Sequence, residues 1–492
     1  MKKILIFNIF YLFFLTHSNS QSLYDNTWII GDDNFIMSID WANNGKATVN
    51  TLFFKKNKSM PSANDAKGKL LLYSDGFSIF AKGNYEIQNG DSLNPGKIFN
   101  QEYYKGSSIQ NIGVFLPKPS DSLMYYLFHC ARSDKSIHTD VHLLDKFYYT
   151  VVDARKETST KITKKNILLV KDTLSEIGPY ACRHANGKDW WVVVPEAKTH
   201  GYYSALLRKD GVVTVKHKVF SSNYGREIVD KDGQAVFSPD GSKYIRSDPY
   251  NGTHIYDFDR CTGELSNPIF IDTLGTHACA GVAVSPNSKY LYLSNGMVLH
   301  QFDLQANDIA NSKIKVAEFD GANILFEQGI IFYKMALAPN GKIYMATTIR
   351  VDSLHVINKP NEKGSVCDFK KYGFALPSDS YITMPNFPNF NLGAQSGTPC
   401  APLTSISHLE DAVLGFKNFP NPTSDLLNIS LSWKFKQLFI TDLTGRLLKN
   451  ISTNDYESEY QTSTLDLENG LYFIQGIRED GKKVVQRFVV QH

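Results

Sequence analysis

Short apolar runs separated by turn-forming residues recur along most of this chain of 492 residues. Examples are residues 70–73 (LLLY), 124–128 (MYYLF) and 190–194 (WWVVV), each with Gly, Asn, Asp or Ser close by. Runs of this length, rich in aromatic and β-branched residues, are typical of strands rather than helices. No long stretch with helical spacing interrupts them, so the sequence predicts an all-β fold.

One turn sequence repeats along the chain. Residues 238–241 (SPDG) lie between two apolar runs, and Pro239 and Gly241 suit two corners of a β-turn. The pattern returns at Pro286 and Pro339, at a spacing of about 50 residues that is typical of propeller blades. Seven such units fit along residues 21–395. We therefore predict a seven-bladed β-propeller there.

Paired aromatic residues support this arrangement. In a strand, successive side chains point to opposite faces, so Tyr125 and Tyr126, or Trp190 and Trp191, send one ring to each face. Both faces of a propeller blade pack on neighbouring blades, and closing the ring leaves no blade without a partner. A β-helix solenoid is the alternative, although its repeats are shorter and lack these hairpin turns.

Residues 1–20 have the features of a secretory signal peptide. Lys2 and Lys3 precede an apolar stretch at residues 4–15, and small residues stand before the predicted cleavage point after Ser20. A membrane anchor is the alternative, although about 12 apolar residues are too few to span a bilayer. No later apolar run approaches ~18 residues, so we expect no transmembrane segment after cleavage.

The C-terminal part of the chain differs from the repeat region in composition and in its pattern of apolar residues. Gly and Pro residues mark a linker at residues 396–415, and a small domain is predicted at residues 416–492. There, Leu427, Ile429 and Leu431 alternate with polar residues as in a half-buried strand. Residues 471–474 and 484–490 flank a turn as in a hairpin. Five or six strands in so short a segment predict an Ig-like β-sandwich.

Four short motifs follow one another in this domain: residues 419–423 (FPNPT), 442–446 (DLTGR), 465–467 (LDL) and 470–473 (GLYF). With these motifs the segment resembles the type A C-terminal sorting domain of the type IX (Por) secretion system of Bacteroidetes. The resemblance implies recognition by that machinery, passage through the periplasm and outer membrane, and release or attachment at the surface after removal of the domain. The sorting-signal residues that it implies are Pro420, Asn421, Pro422, Gly445, Arg446, Gly470 and Tyr472.

The repeat region carries motifs of its own, such as residues 70–76 (LLLYSDG), 184–191 (HANGKDWW) and 237–241 (FSPDG). With these it resembles exported propellers of the same bacteria, which are related to WD40-like and YVTN repeats. That family implies no particular reaction. Ser288 stands where the repeat usually has Gly, and the first three units match the pattern weakly.

Charge and cysteine content add two constraints. The net charge is +3 and no block of five like charges occurs, so we expect no nucleic-acid partner. The six cysteines form an even set, which permits disulfides in an exported chain. Their pairing stays open, and a set of buried free thiols is an equal alternative.

The chain lacks the standard catalytic signatures HExxH, GxSxG and the P-loop. We predict no catalytic residue, metal site or cofactor. Arg183, His184 and His277 are the candidate ligand-binding residues. The two histidines precede strands that are predicted to open a unit, and propeller positions of this kind tend to lie near the central channel; Arg183, beside His184, adds a charge there. The alternative role of each imidazole is to bond a backbone carbonyl and space neighbouring units.

These features favour an exported, non-enzymatic binding module at the cell surface, with a surface glycan or a protein as its ligand. Two alternatives are a secreted hydrolase or lyase that acts on polysaccharide, with a site built from scattered residues at the channel mouth, and a structural component of a surface layer. We therefore leave enzymatic activity open.

Overall fold

A computed structural model describes residues 23–31, 36–50, 60–102, 107, 111–134, 143–197, 199–220, 233–272, 281–319, 332–347, 350–380, 384–398, 400, 416–431, 434–442, 446–453, 458–478 and 483–492. The chain forms two compact units, residues 1–400 and residues 401–492. The described residues are nearly all in strands and turns, with one short α-helix, α1 (Lys97–Glu102), and four single 3₁₀ turns (Trp41–Asn43, Glu157–Ser159, Ala310–Ser312 and Gly364–Cys367). The predicted all-β class is confirmed.

The described residues of the first unit form seven consecutive antiparallel sheets, each a simple up-and-down meander. Sheet 1 has three strands: β1 (Thr27–Gly31), β2 (Ile36–Asp40) and β3 (Lys46–Asn50). Sheet 2 comprises β4 (Ser62–Asn64), β5 (Leu70–Ser74), β6 (Ile79–Ala81) and β7 (Tyr85–Glu86). Sheet 3 comprises β8 (Gly113–Lys118), β9 (Asp121–Arg132), β10 (Leu144–Asp153) and β11 (Lys161–Leu174).

The remaining four sheets have four strands each. Sheet 4 comprises β12 (Tyr180–Arg183), β13 (Trp190–Pro195), β14 (His200–Arg208) and β15 (Gly211–Phe220). Sheet 5 comprises β16 (Gln234–Phe237), β17 (Lys243–Asp248), β18 (Gly252–Asp259) and β19 (Glu264–Ile271). Sheet 6 comprises β20 (Gly281–Val284), β21 (Tyr290–Ser294), β22 (Val298–Asp303) and β23 (Ile314–Glu318). Sheet 7 comprises β24 (Met335–Leu337), β25 (Ile343–Met345), β26 (Val351–Ile357) and β27 (Phe369–Ser380).

A separate hydrophobic core fills each interface between consecutive sheets, and one more joins the last sheet to the first. In the closing core, Trp28 and Met37 of sheet 1 pack with Tyr344 and Leu354 of sheet 7. The other six cores join sheets 1/2 (Ile29, Tyr73), 2/3 (Leu72, Phe115), 3/4 (Phe128, Trp190), 4/5 (Trp191, Tyr244), 5/6 (Ile245, Leu291) and 6/7 (Tyr292, Ile343). The sheets therefore form a closed ring with a propeller-like fold.

The aromatic pairs explain how one sheet serves two interfaces. Tyr126 and Trp190 belong to the core between sheets 3 and 4, whereas Tyr125 faces sheet 2 and Trp191 faces sheet 5. Each of these rings is almost fully buried, and burial of one large apolar side chain contributes about 1.5–3 kcal/mol. The predicted alternation is confirmed for both pairs.

The repeated turn has the backbone that its sequence requires. Gly241 and Gly341 have φ values of +71° and +78°, in the left-handed region that favours glycine. Ser288 takes the same position in sheet 6 with φ +58°. Its hydroxyl accepts a hydrogen bond from the amide of Asp240 at 3.0 Å, so this residue links two neighbouring turns.

The described part of the second unit consists of two antiparallel sheets. Sheet 8 has the order β28 (Phe416–Phe419), β29 (Leu426–Leu431) and β32 (Glu459–Ser463), and sheet 9 the order β31 (Leu447–Ile451), β30 (Phe435–Thr441), β33 (Gly470–Arg478) and β34 (Lys483–Val490). Leu427, Ile429 and Leu431 pack with Ile440 and Phe488 in one core between the sheets. The predicted half-buried strand and the pairing of residues 471–474 with the final strand are confirmed.

Candidate functional site

A central cavity of about 350 Å³ lies among the first strands of sheets 4–7 and the start of sheet 1. Most of its wall is apolar, and the aromatic residues Trp28, Phe237 and Phe387 are among those that line it. Charged groups enter the wall at Asp25 and Arg183. Ligand pockets in proteins have volumes of roughly 300–1,000 Å³, so this cavity suits a small molecule.

The C-terminal strap, defined as residues 384–400, follows sheet 7 and borders the cavity along residues 385–389 and 391–392. Asn386 Nδ2 donates to the carbonyl of Pro179 beside sheet 4, at 2.8 Å. Asn389 Nδ2 donates to the carbonyl of Pro239 in the repeated turn of sheet 5, also at 2.8 Å. The strap therefore runs from sheet 7 to sheets 4 and 5, at the end of the cavity where this turn lies.

Arg183 is the predicted site residue that lines the cavity. Its guanidinium carbon lies 3.6 Å from the ring centroid of Trp190, and its terminal nitrogens donate to the carbonyls of Lys188 and Phe390, both at 3.0 Å. Burial lowers the pKa of Arg183 to about 10, so it is charged at neutral pH. These contacts hold the strap against sheet 4.

A second arginine, which the sequence did not indicate, has a similar role on sheet 5. Arg260 is 5% exposed; its Nε donates to the carbonyl of Arg183 at 2.9 Å, and its terminal nitrogen donates to the carbonyls of His184 and Gly393. Since Gly393 belongs to the strap, Arg260 joins sheet 4, sheet 5 and the strap through one side chain.

His184 lies beside the strap contacts but not in the cavity wall. Its Nδ1 accepts a hydrogen bond from the amide of Asn186 at 3.0 Å, and its ring centroid is 6.0 Å from that of Trp191. Burial lowers the pKa of His184, while hydrogen bonds to Asn186 and the backbone of Cys261 oppose this shift. The imidazole thus organises the turn before β13 and touches sheet 5. His277 lies outside the described residues.

One disulfide fastens the end of the strap. Cys261, which follows β18, is bonded to Cys400, with their Cα atoms 5.5 Å apart. The described cysteines without a disulfide are Cys130, Cys182 and Cys367, all buried, and Cys279 lies outside the described residues. The structure thus contains both a disulfide and buried free thiols, which are the two alternatives that the sequence left open. Sequence alone does not pair Cys261 with Cys400, because the two meet only where the strap returns to the ring.

Asp25 is a candidate residue that sequence reasoning missed. It stands in the turn before β1 and lines the cavity. Burial raises the pKa of Asp25 to about 6, opposed only by a hydrogen bond from its own amide. The residues around it, Leu-Tyr-Asp-Asn, form no recognisable motif. Asp25 is identified as a candidate by its position in the cavity wall.

Within the described part of the chain, no group of three or more His, Cys, Asp or Glu side chains is placed to hold a metal ion. A search of the same residues found no helix with the length and apolar character needed to cross a membrane.

In the second unit, Asn421 is the predicted sorting-signal residue with the most extensive contacts. Its side-chain oxygen accepts a hydrogen bond from the amide of Val489 at 2.9 Å, and its Nδ2 donates to the carbonyl of Arg487 at 3.4 Å. Pro420 and Pro422 flank it, each after a cis peptide bond. The motif thus connects the start of this unit to its last strand, β34.

The other sorting-signal residues lie on sheet 9 or its turns. Arg446 is exposed, and its Nε donates to Asp442 at 3.1 Å. Gly470 opens β33 opposite Val490, and Tyr472 donates from its hydroxyl to the carbonyl of Glu468 at 2.8 Å. Gly445 lies outside the described residues.

Comparison with known protein families identifies the second unit. Residues 417–491 match the family described as "Secretion system C-terminal sorting domain". The chain thus carries a sorting domain of a secretion system at its C-terminal end, and this part of the sequence prediction is confirmed. The match supports secretion of the protein and an interaction with the secretion machinery.

Solved structures similar to this chain include propellers. Hydrazine synthase from Kuenenia stuttgartiensis aligns at 14% identity with a TM-score of 0.40, over 66% of this chain and 90% of its own. The Dos1 propeller aligns at 13% identity with a TM-score of 0.39, over 66% of this chain and 73% of its own. A periplasmic gluconolactonase from Pseudomonas aeruginosa aligns at 13% identity with a TM-score of 0.38, over 82% of this chain and 99% of its own. Similarity at this level carries no information on activity. The sequence matches none of the curated proteins with which it was compared.

Proposed function

We propose that this chain is a binding protein that a type IX secretion system exports to the bacterial surface or medium. The observation that carries the proposal is the combination of a sorting domain at residues 417–491 with a closed ring of sheets around a cavity of ligand size. A ring of this kind offers a rigid frame, because every sheet is held on both faces by its neighbours.

The finer features of the proposal extend the sequence predictions. The seven sheets are seven blades of a propeller related to WD40-like and YVTN repeats of Bacteroidetes, and the second unit is an Ig-like sandwich of type A. Residues 1–20 direct the chain to the periplasm, and residues 401–415 link the two parts, since the strap ends on the ring at Cys400. The ring acts as a non-enzymatic module that holds a glycan, protein or small-molecule ligand, with Arg183, His184 and His277 at or near its mouth.

Export is tested by deleting residues 416–492 and locating the chain in periplasmic, surface and extracellular fractions. We expect the deleted form to accumulate in the periplasm and the full chain to reach the surface or the medium. Equal export of both forms would show that residues 416–492 do not direct export and would refute this part of the proposal.

Binding is tested by screening the exported protein on a glycan array and by incubating it with a panel of polysaccharides. Saturable binding without turnover is the expected result. Cleavage of any polysaccharide in the panel would replace the binding proposal with a hydrolase or lyase.

A further inference from the structure

Asp25 is a half-buried carboxylate in the wall of a mostly apolar cavity. Its described surroundings supply a hydrogen bond only from its own amide, and no basic side chain contributes to the pKa of this carboxyl. Withdrawing an acid from water without a counter-ion is unfavourable, and a cation that enters the site relieves that cost.

Arg183 is the basic residue among the described residues of the cavity wall. Its terminal nitrogens donate to two backbone carbonyls and its guanidinium lies over Trp190, while its Nε is buried without a hydrogen-bond partner. Arg183 does not contribute to the pKa of Asp25, whose carboxylate is the negatively charged acceptor among the described lining residues.

The rest of the wall favours a ligand with an apolar body. Trp28, Phe237 and Phe387 are among the residues that line the cavity. Aromatic rings attract organic cations, and they also accept apolar groups that a hydrated inorganic ion lacks. In the described residues, no group of three or more His, Cys, Asp or Glu side chains is placed to hold a metal ion, and one carboxylate stands in the described cavity wall.

We propose that the central cavity binds a small organic cation with an apolar body, held through its ammonium group by the carboxylate of Asp25. This inference rests on the proposed binding function and names the ligand class of its cavity. It differs from a glycan or protein ligand on the outer surface, and the two are tested separately.

The direct test uses the full chain and titrates it with benzylamine, with benzyl alcohol as the neutral ligand of the same shape. We expect benzylamine to bind and benzyl alcohol to bind at least about tenfold more weakly, as the loss of a charge-assisted hydrogen bond predicts. The variant Asp25→Asn should weaken benzylamine binding by about 10- to 100-fold. The control Glu86→Gln removes one exposed carboxylate on β7 and should leave binding unchanged.

A second readout needs no variant, in case Asp25→Asn does not fold. Among the described lining residues, the other titratable groups are Tyr180, Cys182 and Arg183; burial raises the pKa of the tyrosine and raises that of the thiol to about 12, while the guanidinium stays charged. Of these four groups, Asp25 is the one that titrates between pH 5 and 7. Binding of benzylamine to the wild-type protein should strengthen by about tenfold over that range as the carboxyl ionises.

Equal binding of benzylamine and benzyl alcohol, unchanged affinity in Asp25→Asn, or affinity that does not depend on pH between 5 and 7 would each overturn this inference. Glycan or protein binding that persists in Asp25→Asn would leave the proposed function intact. The two proposals therefore fail through different measurements.

Discussion

Removal of the Cys261–Cys400 disulfide provides a direct test of the strap as a cover for the cavity. The free thiol of Cys182 lines the cavity, and Leu392 of the strap packs against the core that contains this thiol. Burial raises the pKa of Cys182 to about 12, so the thiol reacts only in molecules that expose it. Alkylation of Cys182 therefore reports the opening of the strap.

The contacts of the strap set the cost of opening it without the disulfide. Opening exposes Phe390, which is 6% exposed in the closed structure and packs against Trp190. It also breaks five hydrogen bonds to the ring, made by Asn386, Asn389, Phe390, Gly393 and Gln395. At about 1 kcal/mol for each bond and about 2 kcal/mol for the ring of Phe390, the cost is about 7 kcal/mol. Because 1.4 kcal/mol is a factor of ten, about one molecule in 10⁵ is open.

With the disulfide intact, the strap is held at both ends. When the strap opens, the ring stays folded, so the bond restricts only the strap of roughly 17 residues. The chain-entropy effect for a loop of that size is about 3 kcal/mol, with about 2 kcal/mol as a common lower value. The variant Cys261→Ser/Cys400→Ser should therefore label at Cys182 at least about 30-fold faster than the wild-type protein.

The assay is alkylation with iodoacetamide under native conditions, followed by peptide mass spectrometry of each cysteine. Cys130 and Cys367 are internal controls, because they lie in the cores between sheets 3 and 4 and between sheets 6 and 7. We expect both controls to stay slow in the variant. Equal acceleration of all three thiols would show loosening of the whole ring, and no acceleration of Cys182 would show that the strap does not shield it; either result refutes the reasoning.

Three further predictions concern other parts of the chain. Burial lowers the pKa of His129 to about 3, so the folded state binds fewer protons than the unfolded state. The unfolding free energy should therefore fall as pH drops from about 6.5 towards 3, and thermal melts should show a smaller fall in the variant His129→Gln. Replacing Gln234, whose side chain bonds backbone groups of sheets 6 and 7, by Leu should lower the unfolding free energy by about 2–3 kcal/mol in urea titrations. Asn421→Ala should destabilise the second unit by about 1–3 kcal/mol in the same assay, whereas the control Asn450→Ala, an exposed amide on β31, should change it by less than about 0.5 kcal/mol.

The parts of the fold that depend on neighbours in sequence were predictable. The turn around Pro239 specifies its own geometry, and the alternation at Trp190 and Trp191 follows from the pleat of a single strand. The short strand Ser62–Asn64, by contrast, has no apolar run of its own. Its place at the inside of sheet 2 comes from pairing with β5, which a reading of residues 62–64 alone does not contain.

The site depends on contacts between distant residues, so less of it was predictable. Arg183 was found as the neighbour of His184, which was predicted to precede the first strand of its unit. In the structure β12 is that first strand and Arg183 ends it, whereas residues 190–195 form the second, and the partner of Arg183, Phe390, lies 207 residues away. The Gly and Pro residues of positions 396–415 indicate a linker, but Cys400 within that range is bonded to Cys261, and residues 393–395 just before it are held on the ring by Arg260 and Ala185. No local pattern distinguishes a Gly in a free linker from one whose carbonyl is held by an arginine.

Both ends of the ring unit meet at the cavity, since Asp25 precedes β1 and the strap follows β27. A ligand that binds only the closed form should therefore keep the strap closed, because binding stabilises the state that it occupies by RT ln(1 + [L]/Kd). At 100 times its Kd, benzylamine should slow the labelling of Cys182 in Cys261→Ser/Cys400→Ser by about 100-fold. Adding Asp25→Asn to that variant should reduce the protection to about 2- to 11-fold, and benzyl alcohol should give at most about 11-fold at the same concentration. Undiminished protection in the Asp25→Asn background would mean that the amine acts elsewhere, and the coupling between cavity and strap would then have to be abandoned.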